Sequence, residues 1–272
     1  MLTTPLDGYV GERPPSSTDG DATPVQEPDG VAPEDAPTTT PDASVDAPAQ
    51  SRYASEVLND APVLYFRFGE PSSATQFRDE VTGLLIDVPT VGVLPGVPGA
   101  LASESNTAIS FDGAGGVPLP KGQEFLQKAA FSVEIWVNQA ADVPSFAFIL
   151  DHESFTSGRR GWSIWGGDQF GFELRTAAVN SSAQSPATKG VWRHFVATMD
   201  GTAQRLFIDG VLTSTNVEAV TMTEAIGIPY MLGHQNCSPC TMTEFHGALD
   251  ELAIYSKALS QARINAHFTA GK

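Results

Sequence analysis

The chain has 272 residues, 41% of them hydrophobic, and a formal charge of −17 at pH 7. That acidity excludes a nucleic-acid binder, which needs a basic footprint for phosphate, and a protein docked on anionic lipid. No apolar run is long enough to cross a bilayer as a helix, and the length allows one or two domains.

Residues 1–50 carry ten acidic side chains opposed by Arg13 alone, recurrent prolines, and Tyr9 as their single aromatic residue. Low hydrophobicity with one sign of charge predicts disorder, and the prolines keep such a segment extended. The start Met1–Asp7 has neither the basic nor the apolar region of a signal peptide. The stretch Thr38–Pro48 resembles the tethers of bacterial surface lipoproteins and secreted proteins. The expectation is a disordered acidic linker over 1–50, a folded domain over 51–272, and a secreted or cell-surface location.

From Ser51 onward the pattern changes. Tyr53–Leu58 reads as a short helical turn, and Val63–Phe68 as a strand ended by Gly69. Leu84–Val88 and Ala108–Phe111 follow, each bounded by Gly, Pro or Asp. In Phe131–Val137 the residues Phe131, Val133, Ile135 and Val137 alternate onto one apolar face, leaving Glu134 and Trp136 on the other. Phe146–Leu150, Trp162–Trp165, Gly171–Arg175, Trp192–Met199 and Arg205–Ile208 are further strands. Asp209-Gly210, before Val211–Thr213, is the strongest hairpin signal in the chain. Gly247–Tyr255 alternates as a closing strand, with Asp250 and Glu251 predicted on opposite faces. Asp250 would be the inward partner and Glu251 solvated or paired with a neighbour. Ser260 is a suitable N-cap for a helix from Gln261. Many short strands with almost no helix predict an all-β, two-sheet jelly-roll sandwich with a short C-terminal helix.

Three motifs carry a family resemblance. Tyr53 to Glu70, containing Val63-Leu64-Tyr65-Phe66-Arg67-Phe68-Gly69-Glu70, resembles the opening strand of the laminin-G-like jelly rolls of the concanavalin A-like lectin/glucanase superfamily. Trp192–Thr198 with Leu206–Gly210 is similar to their central hairpin, and Gly247–Tyr255 with Ala258-Leu259-Ser260 to their closing strand and helix. The resemblance implies the fold. It leaves the ligand open, because this fold hosts lectins, adhesion modules, lyases and glucanases. It also implies a structural calcium that ties the first strand to the last, with Glu70, Asp79 and Asp250 as its ligands.

Other residues offer chemistry of their own. Cys237 and Cys240, the chain's two cysteines, read as a small disulfide in an oxidising compartment. With His234 and His246 they could instead form a zinc set, or Cys-Ser-Pro-Cys a redox pair. Trp136 with Glu134, and Trp162 and Trp165 with Arg159, Arg160 and Asp168, are candidate sugar-binding platforms. The alternative for each tryptophan is the inter-sheet core, which is the expectation for Trp192. His194 reads as a structural hydrogen-bonding residue. Asp151 and Glu153 share one strand face, but the third acid of a retaining glucanase is missing from that strand.

The sequence therefore points to an extracellular, non-catalytic binding or adhesion module for carbohydrate or another surface ligand. It would have no nucleic-acid partner and no membrane insertion. The alternatives are a polysaccharide lyase or glycoside hydrolase with an unrecognised site, and a structural protein-interaction domain.

Overall fold

The structure is a computed structural model that describes residues 51–120, 130–154, 159–176, 179–217, 228–235 and 244–272. The chain forms helix α1 (Arg52–Asn59), then the short strands β1 (Leu64–Phe66), β2 (Gln76–Arg78), β3 (Leu85–Asp87), β4 (Val93–Pro98), β5 (Thr107–Asp112) and β6 (Val117–Pro118). Longer strands follow: β7 (Phe131–Gln139), β8 (Phe146–Ser154), β9 (Arg160–Gly167), β10 (Gln169–Arg175) and β11 (Asn180–Pro186). Next come β12 (Arg193–Met199), β13 (Ala203–Ile208), β14 (Val211–Val217) and β15 (Met231–Leu232). Finally β16 (His246–Tyr255) leads into helix α2 (Gln261–Ala270).

Two sheets result. An eight-stranded sheet runs β14-β13-β12-β7-β16-β5-β4, with β1 also paired to β16; a six-stranded sheet runs β11-β10-β9-β8-β15-β6. The sequence-distant β7 and β16 lie side by side and antiparallel at the centre of the larger sheet, so the last strand closes the jelly roll. The predicted apolar row of β7 does face the other sheet. Phe131 packs against Trp162 and Phe172 with ring centroids 5.4 and 5.8 Å apart, and Phe170 meets Phe195 at 5.7 Å. This inter-sheet core is the main source of stability, since each large side chain removed from water contributes about 1.5–3 kcal/mol.

The outer face of the eight-stranded sheet carries a second apolar cluster. Trp136, Val196, Phe207, Ala253 and Tyr255 are covered there by Tyr53 and Val57 of α1 and Ile264 of α2. Ser51 caps α1 by accepting from the Ala54 amide at 3.1 Å, and Ser260 caps α2 by accepting from Arg263 at 3.3 Å. The Asp209-Gly210 turn has φ of 53° and 78°, positive at both central residues as a type I′ hairpin requires.

The closing strand departs from the expected alternation. Asp250 pairs with Trp136 and Ala253 with Glu134, so β16 holds one residue more than β7 between these pairs. That is a β-bulge, with Glu251 at φ 53°. The extra residue shifts the phase: Leu249, Leu252 and Ile254 all point into the inter-sheet core. Asp250 and Glu251 both turn to the helix-covered side, where each accepts from the Asn106 side-chain amide. The expectation of opposite faces, with Asp250 inward, is corrected by this bulge; Glu251 is not solvated but paired, the other outcome expected for it, with Tyr65 of β1 and with Arg67.

Candidate functional site

The pairing register of the six-stranded sheet defines its outward face row by row. Trp165 of β9 lies between Phe148 of β8 and Gly171 of β10. One row on, Ser163 lies between Asp151 and Glu173; the next holds Glu153, Gly161 and Arg175. Beyond β10, Gln184, Ser182 and Asn180 of β11 continue the three rows. Half of the face is therefore aromatic and half charged. The Trp165 indole lies over Gly171, where an added Cβ would come within 2.1 Å of the ring, so only glycine leaves room for it. The Phe146 ring lies with its centre 4.9 Å from that of Trp165, tilted by 37°.

The charged half is a network. Glu153 accepts from Ser163 Oγ at 2.9 Å and from the Arg159 guanidinium. Arg175 Nη2 pairs with Glu173 Oε1 at 2.5 Å, and Arg159 Nη2 lies 3.8 Å from Glu173 Oε2. The Arg159 guanidinium also stands 5.6 Å from the centre of the Phe148 ring, within cation–π range. Burial first, and the Glu153 charge second, raise Glu173 above the usual carboxylate range despite its two arginines. The third acid missing from the β8 pattern is thus supplied by β10, across β9. Sequence spacing could not reveal it, because only the register brings Glu173 opposite Ser163.

The expected platform residues separate. Trp165 is on this face; Trp162, three residues earlier and so on the opposite side of the strand, is in the inter-sheet core against Phe131. Arg160 is half-buried at the start of β9. Trp136 and Glu134 do not form an open platform: they are 1% and 0% exposed beneath the two helices. Trp192, expected in the core, is half-buried against that same helix-covered cluster.

Glu134 is instead the hub of a buried network. It accepts from Tyr53 Oη at 2.8 Å and Tyr255 Oη at 2.7 Å, and meets His194 Nε2 at 2.7 Å and His267 Nδ1 at 2.9 Å. The other ring nitrogen of His267 lies 3.0 Å from Asp60 Oδ2. Burial alone would push Glu134 up, but the His267 charge and the hydrogen bonds from both histidines hold it well below the usual range. This network ties β7, β12, α1, β16 and α2 together, and His194 has the structural role expected of it.

The implied calcium ligands do not converge. Asp79 accepts from the amides of Tyr65 and Val81 and from Thr82. Glu70 accepts from the Arg78 amide at 2.9 Å, and Asp250 from the Ala100 amide at 2.8 Å and from Asn106. Asp79 and Asp250 are thus ringed by N–H and O–H donors, whereas calcium needs oxygen acceptors. Among the described residues no group of three or more His, Cys, Asp or Glu side chains is gathered for a metal. These residues do not fit the ion. Glu251 is matched instead by Arg67, with Nη2 2.7 Å from Oε1, and by the Tyr65 hydroxyl. A polar cavity of about 500 Å³ opens beside Arg67, Glu104 and Asn106. His234 and His246 stand 3.6 Å from Glu244 and 3.2 Å from Asp142; Cys237 and Cys240 lie outside the described residues.

Fold and face together define a lectin-like jelly-roll sandwich. The chain belongs to the concanavalin A-like lectin/glucanases superfamily, whose family model matches residues 111–265. A search of curated protein sequences finds no match. Among solved structures, it is similar to Trypanosoma rangeli sialidase in complex with sialic acid, at 15% identity and a TM-score of 0.55, over 75% of this chain and 32% of the sialidase. It is also similar to the binding domain of botulinum neurotoxin DC in complex with SialylT (12% identity, TM-score 0.51, 79% of this chain and 52% of that one). The binding domain of Paraclostridial Mosquitocidal Protein 1 is similar at 17% identity and a TM-score of 0.54, over 78% of this chain and 52% of that one. The chain spans about a third of the sialidase and about half of each of the two binding domains. At these identities the likeness is one of fold.

Proposed function

We propose that this protein is a non-catalytic carbohydrate-binding module, secreted or displayed at a cell surface on its acidic leader, that holds a glycan on the outer face of the six-stranded sheet. The observation that carries this reading is the face itself. A tryptophan, fixed over a glycine and with no hydrogen-bond partner for its indole Nε1, adjoins Ser163, Glu153, Glu173 and Arg175. An apolar floor beside a few fixed polar groups is what a small-ligand site needs. The toxin and sialidase structures were obtained with sialylated or sialic acid ligands, which supports a sugar ligand for this chain.

Glycoside hydrolysis is the competing reading, favoured by one feature: Glu173 is pushed up beside Glu153, as a general acid beside a second carboxylate would be. Against it, both oxygens of Glu153 are engaged, by Ser163 and by Arg159. A polysaccharide array decides between them. Binding without release of reducing ends, lost in Trp165→Ala but kept by the folded Trp136→Phe control, is the expected outcome. Release of sugar that stops in Glu173→Gln would make the protein a hydrolase, and failure to bind any glycan would remove the proposal.

A further inference from the structure

We propose that the ligand of this face is a carboxylated oligosaccharide, its acidic group held by Arg175 and Arg159 and a neighbouring ring held at Trp165. This rests on the reading of the face as a glycan site and extends it to a ligand class. The charges of the face lie at two depths. The side chains of Glu153 and Glu173 are 0% and 8% exposed, while those of Arg159 and Arg175 are 28% and 24% exposed. An incoming ligand meets guanidinium first, and the carboxylates beneath serve to orient it. Arg175, held on Glu173 through Nη2, presents the rest of its guanidinium as a fixed fork, the geometry that matches a carboxylate.

Two buried donors of this face lack hydrogen-bond partners. Arg175 uses Nη2 on Glu173, but its buried Nε has no hydrogen-bond partner and stands 3.9 Å from Glu153 Oε2. Trp165 is 7% exposed, and its Nε1 also lacks a partner. Both are donors, and each is costly to bury unmet. Glu153, by contrast, is satisfied. The face therefore calls for acceptors, which favours an anionic sugar over an amino sugar. Trp165 pairs with Gly171, and Arg175 is four residues further along β10, about 13 Å at the rise of a strand. One sugar ring does not reach both ends, so the ligand is an oligosaccharide. The chain's charge of −17 opposes long-range attraction of an anion. Affinity must then come from contact at the arginines, with little electrostatic steering.

The test is titration calorimetry of the full chain with oligogalacturonate and sialyllactose, with neutral cello- and malto-oligosaccharides, and with a heparin oligosaccharide. The expected result is binding of a carboxylated sugar about ten- to a hundredfold tighter than its neutral counterpart, the range of a charge-assisted hydrogen bond. Arg175→Gln should bring the affinity for the carboxylated sugar down to that for its neutral counterpart. Arg175→Lys, which keeps the charge and loses the fork, should lose most of it and guards against a folding defect in the Gln variant. Neutral sugars binding as tightly as acidic ones, or heparin keeping its affinity after its carboxylates are reduced to alcohols, would overturn this inference and leave the carbohydrate-binding reading standing. No binding to any of these probes would overturn both.

Discussion

His267 sits between two carboxylates, Glu134 at one ring nitrogen and Asp60 at the other, 2.9 and 3.0 Å away. Only the doubly protonated ring can donate to both. Burial, the largest single cause, would lower its pKa, but the Glu134 charge, the Glu134 hydrogen bond and the Asp60 charge together raise it. The groups facing it are Tyr53 on α1, Glu134 on β7, His194 on β12, Tyr255 on β16, Arg263 on its own helix, and Asp60. The signs then follow. A raised folded pKa gives stability that is complete below the unfolded value of about 6.5 and is lost as pH rises through the folded value. Glu134, held low, gives stability present above about 4.3 that is lost as pH falls through its folded value. Melting temperature should therefore be highest in mildly acid buffer and fall on both sides. His267→Gln should flatten the alkaline limb and leave the acid limb in place. Removing the cation leaves Glu134 and Asp60 short of a partner, so His267→Ala should cost about 3–5 kcal/mol, read from chemical denaturation at pH 6. A His267→Gln variant with an unchanged alkaline limb would show that another group titrates there.

At the scale of elements, the closing strand shows what a sequence pattern conveys and what it hides. Period two in β7, the Asp209-Gly210 turn, and the Ser260 cap were legible because each depends on neighbours along the chain. The bulge in β16 was not. Nothing in Leu249-Asp250-Glu251-Leu252 marks an extra residue; only its pairing with Trp136 and Glu134 does. The same limit explains the face of the six-stranded sheet. Trp165 and the Asp151–Glu153 pair could be picked out locally, but Glu173 and Arg175 join them through register across β9. The burial of Trp136 depends on helices drawn from the two ends of the folded domain. The bulge also has a consequence that can be measured. It places two carboxylates side by side, matched by Asn106 and by Arg67 at 2.7 Å. Because these donors occupy the carboxylates, neither added calcium nor a chelator should move the melting temperature, as a bound ion would. Arg67→Met should cost about 3–5 kcal/mol by leaving Glu251 buried without its cation. A rise in melting temperature with calcium would show that an ion displaces Asn106 at this position.

For the whole molecule, we propose a division at Ser51, with the sandwich beginning there. Both apolar clusters are assembled from residues between Tyr53 and Ala270. Residues 1–50 carry ten acidic groups against one arginine, a net charge that adds solubility more than stability. Among the described residues the first tied into the fold is Ser51, whose hydroxyl oxygen accepts from Ala54 at 3.1 Å and so caps α1. That helix in turn carries Tyr53 to Glu134. A chain starting at Gln50 should therefore fold as the full chain does. Its stability should change by no more than about 0.5 kcal/mol, the range of surface changes, or about 2 °C in melting temperature for a domain of this size. A start at Tyr53 should do worse, because it loses the cap at a cost of about 1 kcal/mol and places a charged amine beside the buried Glu134 network. Scanning calorimetry of the three chains distinguishes the cases. A fall of more than about 2 °C for the Gln50 start would mean that the leader packs on the sandwich, and that the boundary at Ser51 is drawn too late.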